Sequence, residues 1–441
     1  MTKNLENLEK TTDGIRVGSG SYLVNKKHIV VGKPSKTCVL DIQEVGSNAA
    51  QGMSGRNIAI YGMAAVVESE DDPSVVNLAE NATLINEGII EIYLEEMVEA
   101  YKDQLKANKD DTSKLYNFIR CYAMGAGKNS LLINEGIIRL HIDQKDEDAP
   151  VYVLTICGGE KSTVINNGTI ELTGKGTFAS QIRALTIHAN DPTIVNNGLI
   201  KIDVDESSTV RVLATTKLGG SISNFGEIDV TSSGKIMTIG RMADTHVLNT
   251  GKINIDFKAH YVKQKVSFLF QSDPLACAFY EHCPAGLKIT HIPPIVNTGE
   301  INILLEGSEA STDRAVAFGF YTEMIPGGDY PQVHKYENSG TIKLSTSGPY
   351  KLTTAELGCN YQCPKDAPYK IKIGEWHTTA RDFANTKDLI LCKSGNVDLS
   401  EAVFEIEGGT GDYKAEDLVA KTDNSQTFSI SGAETMKIET K

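Results

Sequence analysis

The chain has 441 residues, 40% hydrophobic and 7% aromatic, with 39 glycines and 13 prolines, the make-up of a folded protein rich in strands and turns. A net charge of −14 excludes a general nucleic-acid or anionic-membrane binder, because those need excess Lys and Arg to displace counterions. The longest apolar run, AIYGMAAVV from Ala59, falls far short of the ~20 residues of a spanning helix.

The first residues, MTKNLENLEKTTDG, lack the basic start and apolar run of a secretory leader, so none is expected there. Residues 1–80 then carry strand-like runs, SYLVNKKHIVVG and NIAIYGMAAVV, without any repeat. They are read as an N-terminal cap and first β coils, because a stack of repeats needs atypical end units over its open core.

From residue 81 to 385 one phrase recurs. Asn-x-Gly-x-Ile-x-aliphatic occurs eight times, starting at Asn86, Asn134, Asn166, Asn196, Asn224, Asn249, Asn297 and Asn338, with a degenerate ninth copy at Asn385. Asn and Gly readily adopt left-handed backbone angles, so Asn-x-Gly predicts a turn and the alternating residues after it a short strand. A second apolar strand falls in most intervals, as in VYVLTIC from Val151 and VRVLAT from Val210. The shortest interval, 25 residues, is about one turn of a parallel β-helix.

The residue five after each Asn reads Glu91, Arg139, Glu171, Lys201, Asp229, Asn254, Asn302, Lys343. Over the first five the sign alternates at every step. Stacked coils set equivalent residues ~4.8 Å apart, where opposite charges attract, so the alternation predicts one in-register stack. The Asn column is expected to be a structural ladder of side-chain hydrogen bonds along the stack axis.

Between the first two copies, YLEEMVEAYKDQLKANKDD sets Leu94, Met97, Val98, Tyr101 and Leu105 at helical spacing, which predicts a short inserted helix over about 94–108. The residue three after the Asn is apolar in three of the first four copies (Ile89, Ile137, Leu199), a stripe this helix would partly cover. Two later loops, about 272–291 and 346–378, hold Cys277, Cys283, Cys359 and Cys363. Disulfides, free thiols and a metal site all stay open for these four, with disulfides preferred because C-x5-C and C-x3-C match no zinc spacing well. The same region gathers Tyr330, Tyr361 and the single tryptophan, Trp376, read as candidate partner-binding aromatics. Residues 386–441 are expected to form a C-terminal β cap.

The repeats resemble the Asn-x-Gly-x-Ile phrases of parallel β-helical surface proteins of the autotransporter-passenger and adhesin type, over Asn86 to Leu344. The resemblance implies an all-β fold: a single elongated right-handed parallel β-helix with capping ends. It also implies an extracellular or cell-surface, structural or adhesive role with a host glycan or protein ligand, and the unpaired ends of a coil stack add a homo-oligomer or polymer built end to end as a further expected partner. No Gly-x-Ser-x-Gly, His-Glu-x-x-His, phosphate loop or calcium repeat occurs, so no catalytic residue, cofactor or metal is assigned. The competing reading is a carbohydrate-active enzyme, a lyase or a tailspike-like glycosidase, working in a groove on one wall.

Overall fold

The computed structural model describes residues 5–32, 39–44, 55–70, 75–99, 116–143, 151–175, 181–258 apart from 188, 206–208, 216 and 243, then 276–283, 292–306, 314–322 and 334–346. Beyond residue 350 it describes the strand backbone of shorter runs between 351 and 439. The chain divides into two compact units, Met1–Lys217 and Leu218–Lys441.

Each unit is a stack of coils whose strands pair in parallel along three walls. In the first unit, wall one holds Tyr22–Asn25, Thr83–Asn86, Leu131–Asn134, Thr163–Asn166 and Thr193–Asn196. Wall two holds His28–Val31, Ile89–Tyr93, Ile137–His141, Thr169–Gly174 and Leu199–Val204. Wall three holds Gly55–Glu68, Tyr116–Gly125, Val151–Gly158, Gln181–Ile187 and Thr209–Thr215. The second unit repeats the plan, its wall one running from Ser221–Asn224 through His246–Asn249 and Ile295–Asn297 to Phe428–Ser431. Strand follows strand in register, which is the parallel β-helix expected from the repeats.

Alternation along each strand decides what is inside. Ile29, Ile90, Ile138, Ile170 and Ile200 stack on one another at 0% exposure, as do Ile228, Ile253, Ile301 and Ile342 in the second unit. This is the Ile four residues after each Asn, and burying each side chain stabilises the stack by about 1.5–3 kcal/mol. Opposite register partners also set Arg139 beside Glu171, with Nε donating to Oε2 at 2.9 Å. Farther on, Asn254 donates to Asp229 Oδ1 at 2.6 Å and Asn302 to Asn254 Oδ1 at 2.9 Å.

At the corner between walls one and two, Asn86 Nδ2 donates to Asn134 Oδ1, Asn134 to Asn166 and Asn166 to Asn196, each at 2.8 Å. Asn224, Asn249, Asn297 and Asn338 form the same chain in the second unit. Each amide also donates to the carbonyl of its own Asn-x-Gly glycine, for example Asn134 to Gly136 at 3.3 Å. The first rung is Asn25, which donates to Asn86 Oδ1 at 2.8 Å, and Asn338 stands in register with Ile373. Asn385 lies outside the described residues.

The reason for the glycine differs from the one expected. None of these corner glycines has a left-handed φ. They are glycines because successive corners nearly touch: a Cβ on Gly136 would lie 2.1 Å from Gly88 O, on Gly168 2.1 Å from Gly136 O, and on Gly198 2.0 Å from Gly168 O. Lys27 occupies the glycine position of the Asn25 rung, where no strand pairs beneath Tyr22–Asn25 among the described residues. The left-handed residues sit at another corner, before wall one, in the column Gly20, Asn81, Asn129, Lys161 and Asp191 with φ of 69°, 59°, 54°, 56° and 54°.

The inserted helix is present over residues 94–99, with Leu94, Met97 and Val98 buried. Tyr101 and Leu105 lie outside the described residues. Of the apolar residues three after each Asn, Ile89 is buried at 4% exposure, whereas Ile137 and Leu199 are half-buried.

Candidate functional site

The Asn-x-Gly corner of the second unit is hollow. Its x positions are Phe225, Thr250, Thr298 and Ser339, followed by glycines whose lack of side chains the stacking enforces. Together with Lys252, Glu300 and Thr341 they line an open, shallow groove of about 570 Å³. Phe225 is 48% exposed and stands in the first rung of the groove. Lys252 and Glu300 are register neighbours, and Lys252 Nζ lies 3.9 Å from Glu227 Oε1. The groove therefore offers an aromatic face, four hydroxyls, both signs of charge and exposed backbone along four rungs.

The same corner of the first unit carries Glu87, Glu135, Asn167 and Asn197. Longer side chains link to each other there: Asn167 Nδ2 donates to Glu135 Oε1 at 2.7 Å and Asn197 Nδ2 to Asn167 Oδ1 at 2.7 Å. The contrast follows from side-chain length at the x position.

A carboxylate–imidazole cluster occupies wall two of the first unit. Glu91 Oε2 accepts from His28 Nε2 at 2.8 Å, while Oε1 accepts from His141 Nε2 at 3.0 Å and from Tyr93 OH at 3.2 Å. The Tyr93 and His141 rings stack at 4.4 Å. Burial works to raise the Glu91 pKa, but the hydrogen bonds from His141, His28 and Tyr93 and the charge of His28 outweigh it and hold the carboxyl below its usual value. Both oxygens are engaged, so the cluster is a clamp joining three rungs rather than a free acid or base.

Wall three of the first unit collects arginines. Arg183 and Arg211 are register neighbours, and the Arg120 guanidinium stacks 5.5 Å over the Tyr152 ring. Arg183 donates to Gln181 Oε1 at 2.6 Å and to Thr186 Oγ1 at 3.3 Å. Burial, and then the charge of Arg211, pull the Arg183 pKa down to about 9. In the second unit a buried ion pair, Arg241–Glu281, braces wall three, with Arg241 Nη1 donating to the carbonyls of Thr245 and Pro293 at 2.8 Å each.

Cys277 and Cys283 lie on one strand, Ala276–Cys283. At ~3.3 Å per residue their Cα atoms are ~20 Å apart, whereas a disulfide spans about 4.4–6.8 Å, so these two are not a local bridge. Cys277 is a buried thiol whose Sγ donates to Phe279 O at 2.6 Å. Cys283 and Cys359 share one column with Thr322 between them, two rungs or ~10 Å apart, again too far for a bridge. Cys363, Tyr330 and Tyr361 lie outside the described residues. Trp376 takes the register position of Ile342, which belongs to the core column. Among the described residues no group of His, Cys, Asp and Glu is arranged to hold a metal ion.

Sequence reasoning missed three features. Asn25 was disguised by Lys27 in place of glycine. Phe225, inside NFGEIDV, is the aromatic x residue among the eight copies, a position the repeat pattern gave no reason to single out. The Glu91 clamp draws its histidines from three residues after Asn25 and seven after Asn134, positions whose proximity only the register reveals. A protein-family model described as BigA third pectate lyase-like domain matches residues 100–358. No curated protein and no solved structure matches the chain.

Proposed function

The chain belongs to the family of the BigA third pectate lyase-like domain, and we propose that it is a non-catalytic structural or adhesive surface protein whose β-helical wall binds a partner. The observation that carries this reading is the groove from Phe225 to Thr341. It is shallow and polar, it is built on rungs that cannot shift independently, and it presents an aromatic ring beside hydroxyls and backbone groups. That combination suits an extended glycan, whose ring faces stack on aromatics while its hydroxyls exchange hydrogen bonds. A wall held by stacked strands loses little freedom on binding, which favours adhesion.

The location that goes with this role is extracellular or at the cell surface. Among the described residues no helix is long and apolar enough to cross a membrane. The domain plan that accompanies it is a cap with first coils over 1–80, repeat coils over 81–385 and a C-terminal β cap over 386–441.

Filling the groove tests the reading. Thr298→Arg places a long side chain on an exposed corner position. A glycan array probed with the wild type and with this variant at matched melting temperature should show retained glycans for the first and their loss for the second. Equal binding by both would remove the groove from the account. The family's pectate lyase-like description favours one second reading, a polysaccharide lyase or glycosidase on a wall groove. Shortening of a bound polysaccharide would establish that instead.

A further inference from the structure

The first coil of the first unit and the last coil of the second each leave a strand edge open, and the two edges are complementary. At the N-terminal end, wall two is covered by Lys10–Thr11 paired with His28–Val31, and wall three by Ile15–Val17 and Val39–Glu44 paired with Gly55–Glu68. Wall one is not covered: among the described residues Tyr22–Asn25 pairs only with the rung above it. Tyr22 is 70% exposed, and Leu23 is half-buried although its column mates Leu84, Leu132 and Val164 are at 0%. Bonds to the rung above use the carbonyls of Ser21 and Asn25, so by alternation Tyr22 and Val24 aim their N–H and C=O groups at the open side.

At the other end, wall one of the second unit finishes on Phe428–Ser431, which among the described residues pairs only with Gly395–Asp398. The parity that makes Ile295 and Asn297 core-facing runs through Ile371 and Tyr369 to Val397 and Ile430. Both open strands thus belong to the column that precedes the Asn corner, run in the same direction along their stacks, and carry an aliphatic residue at a core position. Charge agrees: residues 1–32 hold five Lys or Arg against three Asp or Glu, whereas residues 386–441 hold six Lys against eleven Asp or Glu.

We propose that copies of this chain associate head to tail, with Tyr22–Asn25 of one copy adding in parallel to Phe428–Ser431 of the next. The contact is heterologous, so each added copy leaves one further open end instead of pairing off into a two-fold dimer. An unpaired strand edge is the general template for such addition. It deepens the structural and adhesive reading above and uses strands other than those that line the groove.

Sedimentation velocity of the full chain over a wide concentration range tests this, with two variants. Val24→Pro removes a downward N–H and blocks one end; Ile430→Lys blocks the other. The wild type should give a growing series of oligomers, weaker at high salt because the end charges are screened. Each variant alone should stay monomeric, and their equimolar mixture should stop at dimers, since each still carries one open end. Glycan retention in the groove should be unchanged in both, which separates this proposal from the groove reading. A wild type that stays monomeric, a single variant that still forms the whole series, or a mixture that forms no dimer would overturn it.

Discussion

Gly168→Ala isolates the physics that writes the repeat. In a left-handed turn alanine would be strained by its own backbone, but Gly168 has no left-handed φ, and on conformational grounds alone the change would stabilise by about 0.4–1 kcal/mol. The stack reverses the sign. The new Cβ would sit 2.1 Å from Gly136 O, where ordinary contact begins near 3.4 Å, so the two corners must part by more than an ångström. Two backbone bonds between these rungs, Gly168 N–H to Asn134 O and Thr169 N–H to Gly136 O, both 2.9 Å, would then exceed bonding distance. Losing them beside a buried ladder costs about 2–5 kcal/mol, a net loss of about 1–4.5 kcal/mol after the conformational gain. Gly18→Ala is the control, since a Cβ there meets nothing within 4 Å. Urea unfolding at constant m reads both. A Gly168→Ala protein within about 0.5 kcal/mol of wild type would refute close stacking as the reason for the glycine.

Other outcomes follow from the same contacts. Asn134→Ala removes the acceptor of Asn86 and the donor to Asn166, so unfolding should show a loss of about 2–4 kcal/mol, against near-neutrality for the exposed Thr250→Ala. Glu91 has a depressed folded pKa, so its contribution is present above the unfolded value of about 4.5 and fades as pH falls through the folded one. Wild type should therefore lose its melting-temperature advantage over Glu91→Gln only below that pH. Burial pushes the Cys121 thiol up to about 12, so alkylation of Cys121 in the folded protein at neutral pH should be undetectable by mass spectrometry and complete after unfolding. Phe225→Ala should weaken glycan retention about 2–10-fold, the worth of one ring contact of about 0.5–1.5 kcal/mol.

The coil architecture was legible because it is enforced at every rung: a buried Ile four after each Asn and a corner too tight for a Cβ leave the same letters eight times. What the letters could not disclose was the cause, since a left-handed glycine and a sterically excluded Cβ look identical in sequence. Asn25 escaped because, among the described residues, no strand pairs beneath its rung to exclude Lys27. The short helix was visible in Leu94, Met97 and Val98 because amphipathic spacing is local. The groove was not, because it arises from the side chains of four rungs separated by 25 to 48 residues in sequence, and only the parallel register brings Phe225, Thr250, Thr298 and Ser339 into one line. One cysteine pair misled for the opposite reason: closeness in sequence suggested a local bridge, whereas an extended strand carries Cys277 away from Cys283.

The most direct test of a wall that binds rather than cleaves is to hold the protein with a polysaccharide it retains and to follow the polymer's size distribution over time. The account predicts retention that depends on Phe225 and Thr298, with the chain length unchanged. Progressive shortening of the polysaccharide, abolished by a substitution on any wall, would contradict it.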